Sequence, residues 1–237
     1  MALPKLGYPT YELELPSTGK TVKYRPFLVK EEKVLLLALE SKDEKQVISA
    51  VKDLIKNCVI SRIKVDQLPS FDLEYLFLKI RAASIGEVVT LNVTCLDDNK
   101  TQVEAKINID EVEVTKPEGH DKQIMFDDKT GIIMRYPSMQ QFVEREFLQK
   151  DMKTDEVYDF IADSIEQIFD DEEVYDSSTT TKKEFRTFVD SLTTKQFEKI
   201  QKFYETSPKL SHTFKVTNPK TGKESEYTIE GLQSFFA

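Results

Sequence analysis

The sequence predicts an α+β fold in which helical blocks stand beside antiparallel hairpins and small sheets. Three observations lead there. Pairs of alternating apolar and polar runs are joined by short turns rich in Asp, Asn, Gly and Lys, the pattern of hairpins. Apolar stripes at spacings of three and four recur in separate blocks, the pattern of amphipathic helices. Strands and helices are grouped and do not alternate, so no βαβ series is laid out.

The elements follow in order. Tyr11, Leu13 and Leu15 alternate with Glu12 and Glu14, Ser17-Thr18-Gly19-Lys20 turns, and Val22, Tyr24 and Arg25-Pro26-Phe27 return. Residues 8–29 therefore read as a hairpin. Residues 30–40 form a leucine-rich helix. Ser41, with Glu44 three residues on, has the form of a capping box for the next helix. Val47, Ile48, Val51, Leu54, Ile55, Cys58 and Val59 give that helix a clear apolar stripe. After Leu68-Pro69-Ser70, residues 71–83 are apolar almost all round, which predicts a central helix. Past Gly86, the runs Val89, Leu91, Val93 and Val103, Ala105, Ile107, Ile109 flank Asp97-Asp98-Asn99-Lys100. This is the strongest hairpin signal in the chain. A second hairpin pairs 123–126 with 132–136 across Asp127-Asp128-Lys129-Thr130-Gly131.

Beyond Pro137 the pattern turns helical. Capping boxes at Ser138 and Gln141, Thr181 and Glu184, and Thr193 and Gln196 predict helices over 138–149, 181–191 and 193–205. A further helix is predicted over 154–169. Pro208 stops the last of them. Residues 210–216 and 225–229 then close the chain as a hairpin around Asn218-Pro219-Lys220-Thr221-Gly222, and Gly231 leads into a terminal helix. The division falls near Pro137, between an N-terminal α+β region, 1–137, and a mainly helical region, 138–237, in one domain or two.

Composition narrows the function. The net charge of −9 argues against nucleic acid as the main partner and against an anionic membrane surface. Two cysteines in 237 residues fit a reducing compartment, and 15 Phe with 9 Tyr suffice to fill a core. Met1-Ala2-Leu3-Pro4-Lys5 carries no signal-peptide run, and the longest apolar stretch, Val34 to Leu39, is far short of a membrane span. A cytosolic protein is expected.

No glycine spacing fits a phosphate cradle. His120 and His212 lack the spacing of a zinc site and read as surface residues. Cys58 lies on an apolar stripe. Cys95 stands before Asp97 and Asp98, the wrong charge to favour a thiolate. No metal, cofactor or catalytic residue is expected. Asp163 to Asp176 contains seven carboxylates and no basic residue. It is either a docking surface or divalent-ion site, with Asp170, Asp171, Glu172 and Glu173 at its centre, or a solvated helix end and loop. The spacing does not fit an EF-hand. Tyr24, Arg25 and Phe27 either anchor a partner or pack at the edge of their own domain. The same choice applies to Leu232, Phe235 and Phe236. The competing readings are a hydrolase using the 163–176 carboxylates and a nucleic-acid module using Arg62, Lys64, Lys79 and Arg81.

Four segments carry a resemblance: Tyr24-Arg25-Pro26-Phe27-Leu28-Val29-Lys30-Glu31-Glu32-Lys33 with its Leu-rich helix; Phe71-Asp72-Leu73-Glu74-Tyr75-Leu76-Phe77-Leu78-Lys79-Ile80-Arg81; Met134-Arg135-Tyr136-Pro137-Ser138; and the run from Ile200 through Pro208-Lys209-Leu210 to Ile229-Glu230-Gly231-Leu232. Their order and spacing resemble the baseplate hub and hub-assembly proteins of T4-like contractile-tailed bacteriophages. The resemblance implies a non-enzymatic role in building the central hub of the tail baseplate, by protein–protein binding, in the cytoplasm of an infected bacterium. One branch of that family is a hub component of the virion. The other is an assembly chaperone absent from the finished particle. The implied partners are other hub or tail proteins, and a homo-oligomer stays open.

Overall fold

A computed structural model describes residues 7–138, 141, 154–231 and 234. Two compact units emerge: residues 1–115 together with 209–237, and residues 116–208.

The first unit opens with the expected hairpin, β1 (Tyr11–Glu14) antiparallel to β2 (Thr21–Tyr24). Gly19, at φ +66°, makes the turn where a side chain would be strained. Three helices follow: α1 (Val29–Ser41), α2 (Glu44–Cys58) and α3 (Ser70–Ile85). Helix α2 buries Ala50, Val51, Leu54, Ile55 and Cys58, the stripe read from the sequence. Helix α3 is enclosed along most of its length, as its apolar circumference predicts. The Ser41 and Glu44 cap is a correction. Ser41 still belongs to α1 and its hydroxyl donates to the Ala38 carbonyl at 2.6 Å. Asp43 caps α2, accepting from the amides of Lys45 at 3.0 Å and Gln46 at 3.4 Å.

The strongest hairpin signal becomes β3 (Val88–Thr94) against β4 (Gln102–Asn108) in continuous antiparallel register. A second sheet joins β5 (Glu113–Thr115) to β10 (Lys209–Thr217) and β11 (Glu224–Glu230), in the order β11-β10-β5. Leu78 of α3, Val89, Leu91, Ala105 and Ile107 of the hairpin, and Leu210 and Val216 of β10 share one buried cluster. Burial of such side chains contributes roughly 1.5–3 kcal/mol each. That cluster holds the distant strand β10 in the unit.

The second unit holds a four-stranded antiparallel sheet in chain order: β6 (Gln123–Met125), β7 (Gly131–Met134), β8 (Ile165–Phe169) and β9 (Val174–Asp176). Helices α4 (Thr154–Asp163), α5 (Lys182–Ser191) and α6 (Thr194–Glu205) share its core of Ile132, Met134, Ile161, Ile165, Phe185, Val189, Ile200 and Phe203. Pro137 lies inside this unit, between paired strands β7 and β8. A cut there would divide the sheet.

The helix expected over 154–169 ends at Asp163. Ser164 closes it, its hydroxyl donating to the Phe160 carbonyl at 2.9 Å, and β8 begins. In β8, Ile168 pairs with Ile132 and Gln167 with Ile133, but Met134 pairs with Ile165, leaving Glu166 as an extra residue. That bulge lets Ile165 and Ile168, three apart, both face the core. A spacing of three is what a helix shows, so the bulge imitates helical periodicity. The boxes at Thr181 and Glu184 and at Thr193 and Gln196 form as expected, with the threonine amides donating at 2.8 and 2.9 Å. Ser138 and Gln141 also exchange their hydrogen bonds, at 3.0 and 3.4 Å. The helices predicted over 138–149 and at the terminus lie largely outside the described residues.

Candidate functional site

Tyr24 ends β2 and is buried, stacked on Tyr11 with ring centroids 5.6 Å apart. Arg25 is only 8% exposed. Its guanidinium donates to both carboxylate oxygens of Glu31, at 2.8 and 3.0 Å, and to the carbonyls of Pro26 and Asn57, each at 2.8 Å. Glu31 also accepts from the Leu28 amide at 2.6 Å, at the start of α1. The Arg25 hydrogen bond holds the Glu31 carboxyl below the usual carboxylate range. One buried ion pair thus ties the hairpin, α1 and α2 together. Burial pushes the neighbouring Cys58 thiol up to about 11, which keeps it protonated. Phe27 is half-buried, and its amide donates to Ser84 Oγ of α3 at 2.9 Å. Tyr24 and Arg25 therefore pack inside their own unit.

The acidic segment runs from Asp163, the last residue of α4, through β8 and the exposed turn into β9. Asp170 accepts from the amides of Glu172 at 2.9 Å and Glu173 at 2.8 Å. Asp171 pairs with Lys129 from the β6–β7 turn. Asp176 accepts from the Ser178 amide at 2.7 Å and from Gln167 at 3.0 Å. Backbone amides hold Asp170 and Asp176 below the usual carboxylate range. A glycosidase acid needs the opposite shift. Glu172 and Glu173 are exposed, and the following Val174 is 61% exposed beside an exposed Tyr175. A cavity of about 310 Å³ nearby is lined by Arg135, Asp163, Ser177, Thr180 and Lys182. In it Lys182 pairs with Asp163 at 2.7 Å, and Arg135 Nη2 donates to the carbonyls of Asp163 and Ile165.

His120 is a correction: it is buried, not on the surface. Its ring stacks against Tyr136 and Phe203, at 5.6 and 5.1 Å between centroids. Thr206 Oγ1 donates to the Lys202 carbonyl at 2.8 Å, so it accepts from His120 Nδ1 at 2.9 Å. That leaves Nε2 to accept from the Tyr136 hydroxyl at 3.0 Å. Burial pushes the imidazole pKa down, and Lys116 adds to the effect. No local signal in Pro-Glu-Gly-His-Asp marks this, because the enclosing aromatics are remote in sequence.

The basic residues do not gather. Lys79 pairs with Asp110 at 3.1 Å, and Arg81, two residues on, lies on roughly the opposite side of α3. Arg62 and Lys64 are exposed in the segment before α3. Among the described residues, no three His, Cys, Asp or Glu stand together as a metal site, and no helix is long and apolar enough to cross a membrane. Leu232, Phe235 and Phe236 lie outside the described residues.

The family described as T4 bacteriophage base plate protein matches residues 8–237. The chain belongs to that family. No curated protein and no solved structure gives a significant match.

For a baseplate protein, the feature that sequence reasoning missed is the outer side of α1. That helix buries Glu31, Leu35 and Ala38, while Val29, Val34, Leu36 and Leu37 are exposed, Val29 to 81%. Solvent faces of helices are ordinarily polar. The signal was present in the sequence as a helix apolar on more than one side.

Proposed function

We propose that this phage baseplate protein is a non-catalytic member of the central hub pathway. It acts by binding other hub or tail proteins during assembly in the infected cell, as a hub subunit or as a chaperone that leaves before the particle is complete. The observation that carries this reading is the exposed apolar side of α1, with Val29, Val34, Leu36 and Leu37 open to solvent. An apolar helix side of this kind is a liability in a free protein and an asset in an assembly. The exposed Glu172 and Glu173 supply charge that steers encounter with a basic partner. The carboxylates of Asp170, Asp171 and Asp176 are occupied by turn amides, Gln167 and Lys129, which suits a structural part for this segment.

The test is pull-down against each tail and baseplate protein of the same phage, with mass spectrometry of purified virions alongside. Binding to a hub protein is expected. Presence in virions assigns the subunit role, and binding without presence assigns the chaperone role. Binding to none of these proteins removes the reading.

A further inference from the structure

The exposed side of α1 has an order of its own. Lys33 is followed by Leu36, Leu37 and Glu40, three, four and seven residues on, so the four form one stripe along the helix. All are exposed, Leu36 to 52% and Leu37 to 55%. Glu31, Leu35 and Ala38 hold the buried side opposite. The stripe is apolar at its middle, basic towards the start of the helix and acidic towards its end. Val29 and Lys30 extend it by one turn at the basic end. Among the described residues, the ion pairs of α1 go to Glu31, from Arg25 and Lys30, and none engages Lys33 or Glu40.

A stripe in this order is complementary to itself. A two-fold axis level with the midpoint between Leu36 and Leu37 lays a second α1 antiparallel against the first. The four leucines then cluster at the centre, and each Lys33 comes level with the Glu40 of the other copy, twice over by symmetry. The helix ends favour the same direction. The last turn of α1 holds no basic residue, and an antiparallel neighbour brings Lys30 and Lys33 to that negative end of the helix dipole. The chain carries −9 overall, so two copies repel each other on average. The charged members of this surface are two lysines, Lys30 and Lys33, and one glutamate, Glu40, so here that repulsion is absent.

We propose that the free protein pairs with a second copy of itself through α1, the two helices antiparallel and centred between Leu36 and Leu37. The proposal goes beyond the hub-binding reading and stands apart from it, because it concerns what covers α1 before a hub partner arrives. A helix of 13 residues is about 20 Å long and about 10 Å across. A contact confined to two such helices buries less than the roughly 800 Å² per partner of a standard interface. The dimer is therefore weak, with a dissociation constant on the order of micromolar, and a hub partner can displace it.

The test is sedimentation equilibrium of the full chain across the micromolar range. A reversible dimer is expected, and a chain that stays monomeric throughout overturns the proposal. Leu37→Glu is expected to abolish the dimer, and a dimer that survives it uses another surface and overturns the proposal too. Lys33→Glu and Glu40→Lys are each expected to weaken the dimer by on the order of tenfold. The double variant carrying both is expected to recover most of the parent affinity. The two single changes move the net charge in opposite directions. If overall repulsion alone governed association, Glu40→Lys would strengthen the dimer, and that result sinks the proposed pairing, as does a double variant no better than the single ones. Recovery in the double variant also separates a lost contact from a damaged fold. Pull-down with the hub and tail proteins is read independently. A monomer that captures a hub protein overturns this proposal and keeps the hub reading, and a dimer that captures none does the reverse.

Discussion

Glu31 shows what a buried charge costs when its partner is taken away. In Glu31→Ala the Arg25 guanidinium stays enclosed with two carbonyls and the Cys58 sulfur, but no anion, to meet it, and the loss is expected at about 3–5 kcal/mol. A lowered urea midpoint measures it, and the double change Arg25→Met with Glu31→Leu recovers a large part. Asp72 is the reverse case. It is fully buried on α3 and accepts from the amide and hydroxyl of Ser17. Desolvation raises its pKa above 3.8, so folding disfavours its charged form. Its penalty is full above the folded pKa and vanishes below the unfolded one. Asp72→Asn, which can keep both hydrogen bonds, is expected to raise the melting temperature at pH 7, with the gain fading towards pH 4. His120 works the other way. Its folded pKa lies below 6.5, so its contribution is full above pH 6.5 and is lost as pH falls through the folded value. In His120→Gln the thermal midpoint is expected to be lower at pH 7.5 and to vary less across that range. Asp121, Glu118, Lys122 and then Lys116 are the charged groups nearest to it along the chain.

Elements were legible wherever a regular period met a recognisable turn. The hairpins β1–β2, β3–β4 and β10–β11 alternate strictly, and the boxes opening α5 and α6 form at the named residues. Strand β8 was illegible because the Glu166 bulge gives it a helical spacing. Strands β5 and β9 are three residues long, too short for any period to show. The cap of α2 was misplaced because Ser41 and Glu44 match a box in sequence while α1 runs on through Ser41. Asp43→Ala is therefore expected to cost about 1 kcal/mol and Ser41→Ala distinctly less, by chemical denaturation. Of the candidate site, Arg25 was visible as an odd residue between aromatics, but its partnership with Glu31 depends on the fold of α1. The close approach inside the four-stranded sheet of the second unit was likewise hidden. A Cβ at Gly131 would stand 2.6 Å from Phe169 Cζ and 2.8 Å from the Ile124 carbonyl oxygen. Gly131→Ala is expected to destabilise by about 1–3 kcal/mol. Adding Phe169→Leu should restore only part, since the backbone obstacle remains.

At the scale of the whole molecule, the first unit is built from two pieces of sequence. Thr115 on β5 pairs with Lys209 on β10, so the chain leaves and returns at neighbouring strands, with residues 116–208 between them. No local pattern announces a pairing between residues so far apart, which is why a division near Pro137 looked natural. Removal of residues 209–237 is expected to open the cluster that Leu210 and Val216 complete, seen as dye binding to exposed apolar surface. Residues 116–208 expressed alone, with their own core, are expected to unfold cooperatively in calorimetry. The same arrangement sets a timetable. A ribosome releases β1 to β5 first and β10 and β11 last, at about 5–20 residues per second. The early-made half must wait on the order of ten seconds for its closing strands, with Val89, Leu91 and Ile107 lacking their final cover. Whatever guards nascent chains in the cell meets this protein through that half.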